Sequence, residues 1–236
     1  MLIKKWEKLP PEFQIDEIRP YWEKLRKKNF SLFWKRVFDI FVSGIVLLII
    51  SPFFLILSLI IVIDSKGGVF YRQERVTQYG RVFKIYKFRS MVCDADKKGT
   101  SITIEGDRRI TRVGKFIRKF KIDEMSQLID IFRGTMTFIG TRPEIPKYVD
   151  KYKPEYLATL LLPAGVSSTA SIMFKNENDM LNNVEDADDV YLNKILPIKM
   201  KWNLLDIEKY GFWRDIKICF MTVLAVLGKK YENKEQ

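Results

Sequence analysis

Histidine is absent from this 236-residue chain, and its absence excludes several kinds of site. The chain cannot form a Ser-His or Cys-His nucleophile pair, an imidazole general base or a histidine-ligated zinc site. Its two cysteines, Cys93 and Cys219, are too few for a disulfide framework and fit a reducing cytoplasm. No signal peptide is visible, because the first long apolar run begins only at Val37, after a charged segment. These absences indicate a protein of the cytoplasmic compartment that does not use histidine chemistry.

The run Val37–Ile63 is almost wholly apolar, and Asp39 is its only charged residue. As a straight helix it would reach about 40 Å at ~1.5 Å per residue, more than the ~30 Å hydrocarbon core of a bilayer. Pro52 lies in its middle and predicts a bend or break, and Ser51 beside it is placed to satisfy a backbone carbonyl that the bend frees. Basic residues flank both ends of the run: Lys35, Arg36, Lys66, Arg72 and Arg75. Because positive charge marks the cytoplasmic side, the pattern favours a re-entrant helical hairpin, with a kinked single-pass helix as the alternative.

The chain is strongly basic, with 41 Lys and Arg against 29 Asp and Glu and a formal net charge of +12. Such a charge suits nucleic acid, anionic lipid or phosphorylated substrates. The basic residues are spread among apolar segments of membrane type and form no nucleic-acid-binding signature. We therefore predict membrane lipid and phosphorylated ligands as partners, and no nucleic acid.

The length allows one substantial core beside the membrane element. We predict an N-terminal basic tail over residues 1–33, a re-entrant membrane helix over 34–66, a catalytic domain over 67–227 and a polar tail over 228–236. Within the first segment, Pro20–Phe30 is either a short basic helix on the membrane surface or part of a loosely ordered tail.

Two β-rich runs, Val69–Val76 and Arg81–Val92, predict a β-hairpin closed by a glycine-containing loop. The second run carries Lys87 and Arg89, which local pattern alone would assign to a solvated strand face. Asp94–Asp107 is predicted as a polar loop.

Two amphipathic helices are predicted next. The first is Thr111–Phe120 with Thr111 as N-cap, and the second starts near Met125 and stops at Gly134. Asp123 and Glu124 lie between them, where carboxylates are also ordinary helix-start chemistry. Phe212–Leu227 predicts a C-terminal helix whose apolar part is too short to span a bilayer and belongs in the interface or against the hairpin. Asn176–Asp189 is an acidic patch.

Several separated motifs follow one another from Trp34 to Leu227. They are Lys35-Arg36-x-Phe38-Asp39, Ser51-Pro52, Asp64-Ser65-Lys66-Gly67, Val69-Phe70-Tyr71-Arg72-Gln73, Lys87-Phe88-Arg89-Ser90-Met91, Arg109-Ile110-Thr111-Arg112-Val113-Gly114, Asp123-Glu124-x-x-Gln127-Leu128 and Gly140-x-Arg142-Pro143. In this order they resemble the bacterial sugar transferases, the monotopic polyprenyl-phosphate phosphoglycosyl transferases, in their short form. The resemblance implies a mainly α fold with a small β-hairpin, built from a re-entrant membrane hairpin and a helical domain on the cytoplasmic face of the bacterial inner membrane.

The resemblance also implies a reaction. The family moves a sugar-1-phosphate from a nucleotide diphosphate sugar, here expected to be a UDP-sugar, onto polyprenyl (undecaprenyl) phosphate. The products are the polyprenyl-diphosphate-sugar and UMP. This is the first membrane step in assembling a surface glycan such as capsule, exopolysaccharide, O-antigen or glycoprotein glycan.

Residue roles follow from the matched motifs. Asp123 would be the nucleophile that carries a covalent phosphosugar, which suits a chain without histidine because a carboxylate needs no base. Glu124 would bind magnesium, with manganese as an alternative, and would share the catalytic role. Five further residues would bind substrate: Lys87, Arg89 and Arg118 at the phosphates, and Arg142 with Pro143 at the nucleotide.

The chain departs from the family motifs at four places. Thr141 replaces the proline before Arg-Pro, Thr135 an aspartate and Ser126 a proline, while Ala164 and Val166–Ser168 alter a Pro-Gly-Ile-Thr-Gly run. These changes leave the nucleophile in place, but they leave open the loop geometry and which sugar fits. The alternative function is a non-catalytic basic membrane scaffold of a glycan assembly complex. The sequence leaves the sugar, the polyprenol and the oligomeric state open, a homodimer included.

Overall fold

The computed structural model describes residues 2–95, 107–174, 187–229 and 231. The polar loop, the acidic patch and the C-terminal tail predicted from the sequence lie largely outside the described residues.

The described chain is mainly helical and contains two small two-stranded sheets. The helices are α1 (Arg19–Arg26), α2 (Asn29–Asp64), α3 (Arg112–Lys119), α4 (Gln127–Arg133), α5 (Pro146–Val149), α6 (Thr169–Met173), α7 (Ala187–Val190), α8 (Leu196–Glu208) and α9 (Phe212–Val226). The strands are β1 (Phe70–Val76), β2 (Val82–Phe88), β3 (Met136–Ile139) and β4 (Ala164–Ser167). A 3₁₀ helix spans Pro154–Leu161, and a π-helical turn spans Tyr191–Ile195. The predicted class, mainly α with a β-hairpin, is confirmed.

Helix α2 is 36 residues long and holds Pro52 inside a continuous helical segment. Among the described residues it is the one helix long and apolar enough to cross a membrane, with a window of mean hydropathy 3.2 of which only 11% is buried. Pro52 cannot donate to the carbonyl four residues earlier, Leu48 O, and Ser51 Oγ donates to that oxygen instead at 2.8 Å. This is the role that the sequence predicts for Ser51. The helix is not interrupted at Pro52.

The predicted hairpin is confirmed as β1 and β2, which pair antiparallel from Phe70 opposite Phe88 to Val76 opposite Val82. The backbone N–H of Tyr86 on β2 donates to Asp130 Oδ2 of α4 at 2.8 Å. The sheet and α4 are thereby joined, which brings β2 alongside the chain that precedes α4.

The second sheet, a parallel pair of β3 and β4, was not predicted. Its strands approach so closely that a Cβ on Gly165 would lie 2.2 Å from the nitrogen of Gly140. Gly165 N donates to Thr141 O at 2.8 Å, and Gly140 N donates to Ser167 O at 2.9 Å. These contacts fix the path of the chain into Arg142.

Both predicted amphipathic helices are present. Thr111 caps α3 by accepting a hydrogen bond from Gly114 N at 2.9 Å, as the spacing predicts. Gly134 ends α4 in the left-handed conformation with φ of 87°. The predicted C-terminal helix is confirmed as α9.

The N-terminal segment packs on the domain and contains α1, which overlaps the predicted helical stretch, so it is not a loosely ordered tail. The place of that helix on a membrane surface stays a prediction. The apolar side chains of the segment share one buried cluster with the 3₁₀ helix and α8: Ile3, Leu9, Phe13, Ile18 and Leu25. Trp22 Nε1 donates to Lys4 O at 2.9 Å, which closes the segment on itself. Charged residues lie between these apolar positions, so the apolar spacing is not evident in the sequence.

The start of α2 is held by a buried polar network. Lys35 Nζ donates to Ile139 O at 2.7 Å and pairs with the carboxylate of Asp215. Asp39 accepts hydrogen bonds from Thr137 Oγ1 at 2.7 Å and from the backbone N–H of Phe138 at 3.3 Å. Helix α2 is thus tied to β3 and α9.

Candidate active site

Asp123 and Glu124 lie in a 3₁₀ turn, Ile122–Glu124, between α3 and α4. The chain reverses at Lys121, which adopts the left-handed conformation with φ of 57°. Both carboxylates lie in the first turn of this 3₁₀ segment, in keeping with helix-start chemistry, but α4 begins only at Gln127 and neither helical segment has a side-chain cap. Neither carboxylate therefore caps a helix.

Glu124 is held by two cations from separate elements. Its Oε1 lies 3.2 Å from Lys87 Nζ on β2 and pairs with the guanidinium of Arg142, in the loop after β3. Burial raises the pKa of Glu124, but the charges of Arg142 and Lys87 outweigh it and hold that pKa well below its ordinary value. Glu124 is consequently ionised at neutral pH.

Asp123 has a different electrostatic environment from its neighbour. Burial and the adjacent charge of Glu124 raise its pKa, while Lys87 and Arg118 act in the opposite direction. Arg118, five positions earlier in the chain, is thus close enough to contribute to its charge state. The carboxylate that the resemblance names as nucleophile is the less stabilised of the two.

Arg75 on β1 belongs to this site and was missed in the sequence. Its Nη1 donates to Pro143 O at 3.1 Å, and its pKa is lowered by burial, with a further lowering from Arg142. Burial, together with the charges of Arg142 and Arg75, also lowers the pKa of Lys87, against the attraction of Glu124. The alternation along β1, which places Gln73 and Arg75 on the more buried face, was the available signal.

The site residues predicted from the sequence divide into two groups. Asp123, Glu124, Lys87 and Arg142 come together, and Pro143 contributes a carbonyl held by Arg75.

Arg89 lies apart from this group. Its guanidinium donates to the carbonyls of Ser65 at 2.6 Å and Lys66 at 2.9 Å, and its side chain is buried. In the described structure Arg89 stabilises the C-terminal end of α2. A phosphate contact from Arg89 stays a prediction.

The carboxylates at the site can hold magnesium only together with oxygen ligands from water and from the substrate phosphates. Among the described residues no group of three or more His, Cys, Asp or Glu side chains is arranged to hold a metal. Magnesium commonly uses one or two carboxylates and completes its shell with water and substrate phosphates. Ionised Glu124, with Asp123 adjacent, supplies that kind of partial site.

An apolar groove of about 390 Å³ borders the acidic turn. One wall is the C-terminal part of α2, including Leu57 and Ile60, and the other is α3 with Phe116. Ile122, directly before Asp123, and the basic Arg112 also line the groove. The groove thus lies between the membrane-type helix and α3, with one lining residue next to Asp123 in the chain.

The family model for bacterial sugar transferases matches residues 30–229. The chain belongs to this family. It is 34% identical over 198 residues to a UDP-N-acetylgalactosamine-undecaprenyl-phosphate N-acetylgalactosaminephosphotransferase of Aeromonas hydrophila, covering 83% of this chain and 44% of the relative. It is 32% identical over 205 residues to the UDP-glucose:undecaprenyl-phosphate glucose-1-phosphate transferase of Escherichia coli K12, covering 85% and 40%.

A shorter relative is matched over most of its length. This putative undecaprenyl-phosphate N-acetylgalactosaminyl 1-phosphate transferase of Bacillus subtilis strain 168 is 39% identical over 144 residues, covering 61% of this chain and 80% of the relative. The chain otherwise spans under half the length of the first relatives named above. All three are named as transferases acting with undecaprenyl phosphate.

Proposed function

We propose that this protein transfers a sugar-1-phosphate from a UDP-sugar to undecaprenyl phosphate, through a covalent phosphosugar on Asp123. The observation that carries the proposal is the cluster in which Lys87 and Arg142 hold Glu124 beside Asp123, in a chain without histidine. The names of the relatives supply the substrate classes. A surface glycan pathway is the corresponding context.

Two displacements at one phosphorus atom account for the reaction. A carboxylate oxygen of Asp123 attacks the phosphorus bonded to the sugar, and the bond from that phosphorus to the bridging oxygen breaks, so that UMP leaves with the electron pair. A phosphate oxygen of undecaprenyl phosphate then attacks the same phosphorus. The acyl-phosphate bond breaks and the Asp123 carboxylate is regenerated.

The cations of the site would make these steps feasible between anions. Lys87, Arg75 and Arg142 form a partly buried positive cluster, and their mutual repulsion is relieved when a diphosphate binds. Arg118 would act from the side of Asp123. Magnesium or manganese held by Glu124 would neutralise diphosphate oxygens and stabilise the leaving phosphate.

We further propose that α2 enters and leaves the bilayer on the cytoplasmic face of the inner membrane. Its two ends both pack on the domain: Lys35 and Asp39 are buried near the start, and Leu57 and Ile61 near the end. No residue over 44–56 is buried. A straight helix of this length would extend about 54 Å, so contacts at both ends with an exposed middle favour a bend near Pro52.

The apolar groove would hold the first isoprene units of the acceptor. Its walls are hydrocarbon side chains, its end reaches Ile122, and Arg112 is placed for a lipid phosphate. An acceptor chain in this groove would bring its phosphate toward Asp123 from the membrane side.

Isotope exchange tests the covalent mechanism. Enzyme, UDP-sugar and labelled UMP are mixed without acceptor, over a panel of UDP-sugars. The proposal expects label to enter the UDP-sugar for the correct sugar, because the first half-reaction is reversible on its own. Exchange that requires undecaprenyl phosphate would favour direct transfer, and no turnover with any donor would favour a scaffold.

Cysteine labelling tests the topology. Single cysteines placed at Trp34 and Lys66 should both react with an impermeant reagent in inside-out vesicles only. Labelling of one position in right-side-out vesicles would demonstrate a spanning helix. Pro52→Ala should increase that labelling if the proline maintains the bend.

A further inference from the structure

The segment Arg142–Glu144 is held at each of its three residues. The Arg142 side chain pairs with Glu124 and donates from Nη1 to Val166 O at 3.2 Å. The carbonyl of Pro143 accepts from Arg75, and the carbonyl of Glu144 accepts from the backbone N–H of Val76 at 2.9 Å. The segment therefore forms a bridge between β1 and the acidic turn.

The side chain of Glu144 lies in a buried polar cluster. Its Oε1 accepts hydrogen bonds from the Tyr191 hydroxyl and from Lys199 Nζ, the latter at 3.4 Å. Lys199 Nζ also lies 3.0 Å from the Tyr191 oxygen. All three residues are at least nine-tenths buried, with exposed fractions of 9%, 4% and 6% for Glu144, Tyr191 and Lys199.

This cluster connects two parts of the chain that are distant in sequence. Tyr191 opens the π-helical turn and Lys199 lies on α8, while Glu144 is only two residues from Arg142. The Tyr191 ring packs on that of Tyr148, with centroids 4.8 Å apart, so its hydroxyl has little freedom to move. A π-helical turn places side chains where a regular helix would not, and such turns are frequent at functional sites.

Resting on the proposed function, we propose that Glu144, Tyr191 and Lys199 are positioning residues that set Arg142 against Glu124 and the donor diphosphate. A buried carboxylate with two fixed partners restrains the backbone on one side of Pro143, and the proline ring limits rotation between Glu144 and Arg142. With the backbone restrained in this way, the Arg142 side chain samples fewer rotamers and its guanidinium stays against Glu124. Loss of the restraint would weaken diphosphate binding through Arg142. Glu144 and Tyr191 also act on the charge of Arg75, and an effect transmitted through Arg75 would persist when Arg142 is replaced.

A double-mutant cycle on UDP binding tests this dependence. Tyr191→Phe removes one oxygen and leaves the ring packing on Tyr148, so the full-length protein should keep its fold. In the wild-type background we expect the Kd for UDP to rise about fivefold, in the range of one lost hydrogen bond. In an Arg142→Lys background the same change should alter the Kd by less than about twofold, because the group being positioned is already gone.

Tyr148→Phe is the matched control. It deletes the same atom from the facing ring, but that hydroxyl bonds Asp188 and not Glu144. We expect a Kd for UDP within about twofold of wild type, with a thermal shift comparable to that of Tyr191→Phe. The double variant Glu144→Gln/Lys199→Met removes both buried charges together. It can take the place of Tyr191→Phe in the same double-mutant cycle.

Three results would overturn the inference. They are an unchanged Kd in Tyr191→Phe, equal effects of the two tyrosine changes, or full additivity with Arg142→Lys. If wild-type protein does not bind UDP at all, the proposed function fails as well. If it binds UDP and the effects are additive, only the positioning role fails.

Discussion

Two ionic clusters of this protein use the same residue types for different purposes. At the start of α2, Lys35 and Asp215 form a buried pair, and their side chains are only 3% and 12% exposed. At the acidic turn, the side chains of Lys87 and Arg142 are more open, at 21% and 37%, and both converge on one oxygen of Glu124. The first cluster is matched in charge and closed, whereas the second has surplus positive charge and access to solvent.

Charge balance and access to solvent separate a structural ion pair from a binding site. A closed pair has no capacity for another ion, and its contribution is to fix α2 on β3 and α9. The open cluster keeps Lys87, Arg75 and Arg142 together. Burial is the main cause that lowers the pKa values of Lys87 and Arg75, and repulsion by Arg142 lowers them further. A bound diphosphate would offset that repulsion. Changes in the open cluster should therefore affect turnover, and changes in the closed pair should affect stability.

The largest expected effect on turnover comes from Asp123→Asn. This change keeps the size of the side chain and removes the carboxylate that we propose as the nucleophile, so we expect UMP release to fall by at least about 10⁴-fold. The melting temperature should stay near that of wild type, since Asp123 caps no helix. Retention of more than a few per cent of turnover would exclude Asp123 as the nucleophile.

Metal removal should have the next largest effect. With EDTA in excess we expect turnover to fall by about 100-fold or more, and to return with magnesium or manganese but poorly with zinc, because the site offers hard oxygen donors. Glu124→Gln should raise the magnesium concentration needed for half-maximal rate. Full activity in chelator would contradict the metal role of Glu124.

Arg142→Lys should have a smaller effect at the same cluster. The shorter point charge cannot reach both Glu124 and Val166 O as the guanidinium does, and misplacement of this order costs roughly 10- to 100-fold in turnover. Initial rates against UDP-sugar concentration measure it. A turnover equal to wild type would show that Arg142 only balances charge.

The smallest effect on turnover is expected at the closed pair. Lys35→Met leaves Asp215 buried without its cation, and removal of one partner of such a pair typically costs about 3–5 kcal/mol of stability. Turnover per folded molecule should remain within about twofold of wild type. Denaturant unfolding and active-site titration separate the two quantities. A loss of turnover without a loss of stability would reverse the distinction between the clusters.

The sequence predicted those features that depend on short-range chemistry. Thr111 as a cap, Gly134 as a helix stop and the β1–β2 hairpin follow from spacings of a few residues. The family motif Asp123-Glu124 also indicated the acidic turn as the candidate site.

Features that depend on distant partners were not predictable in the same way. The parallel pairing of β3 with β4 and the burial of Phe13 arise from contacts far along the chain. The local pattern around Arg89 could not show that its guanidinium reaches the carbonyl of Ser65, and alternation along β1 was too short a signal to identify Arg75.

Intact mass spectrometry of the protein mixed with donor alone would detect the proposed phosphosugar on Asp123 itself. With the correct UDP-sugar and magnesium, and without acceptor, wild type should gain the mass of one phosphosugar per chain. Undecaprenyl phosphate should discharge it, and Asp123→Asn should gain nothing. An adduct of the same mass on Asp123→Asn, or none on an active wild-type enzyme under rapid quench, would contradict the account.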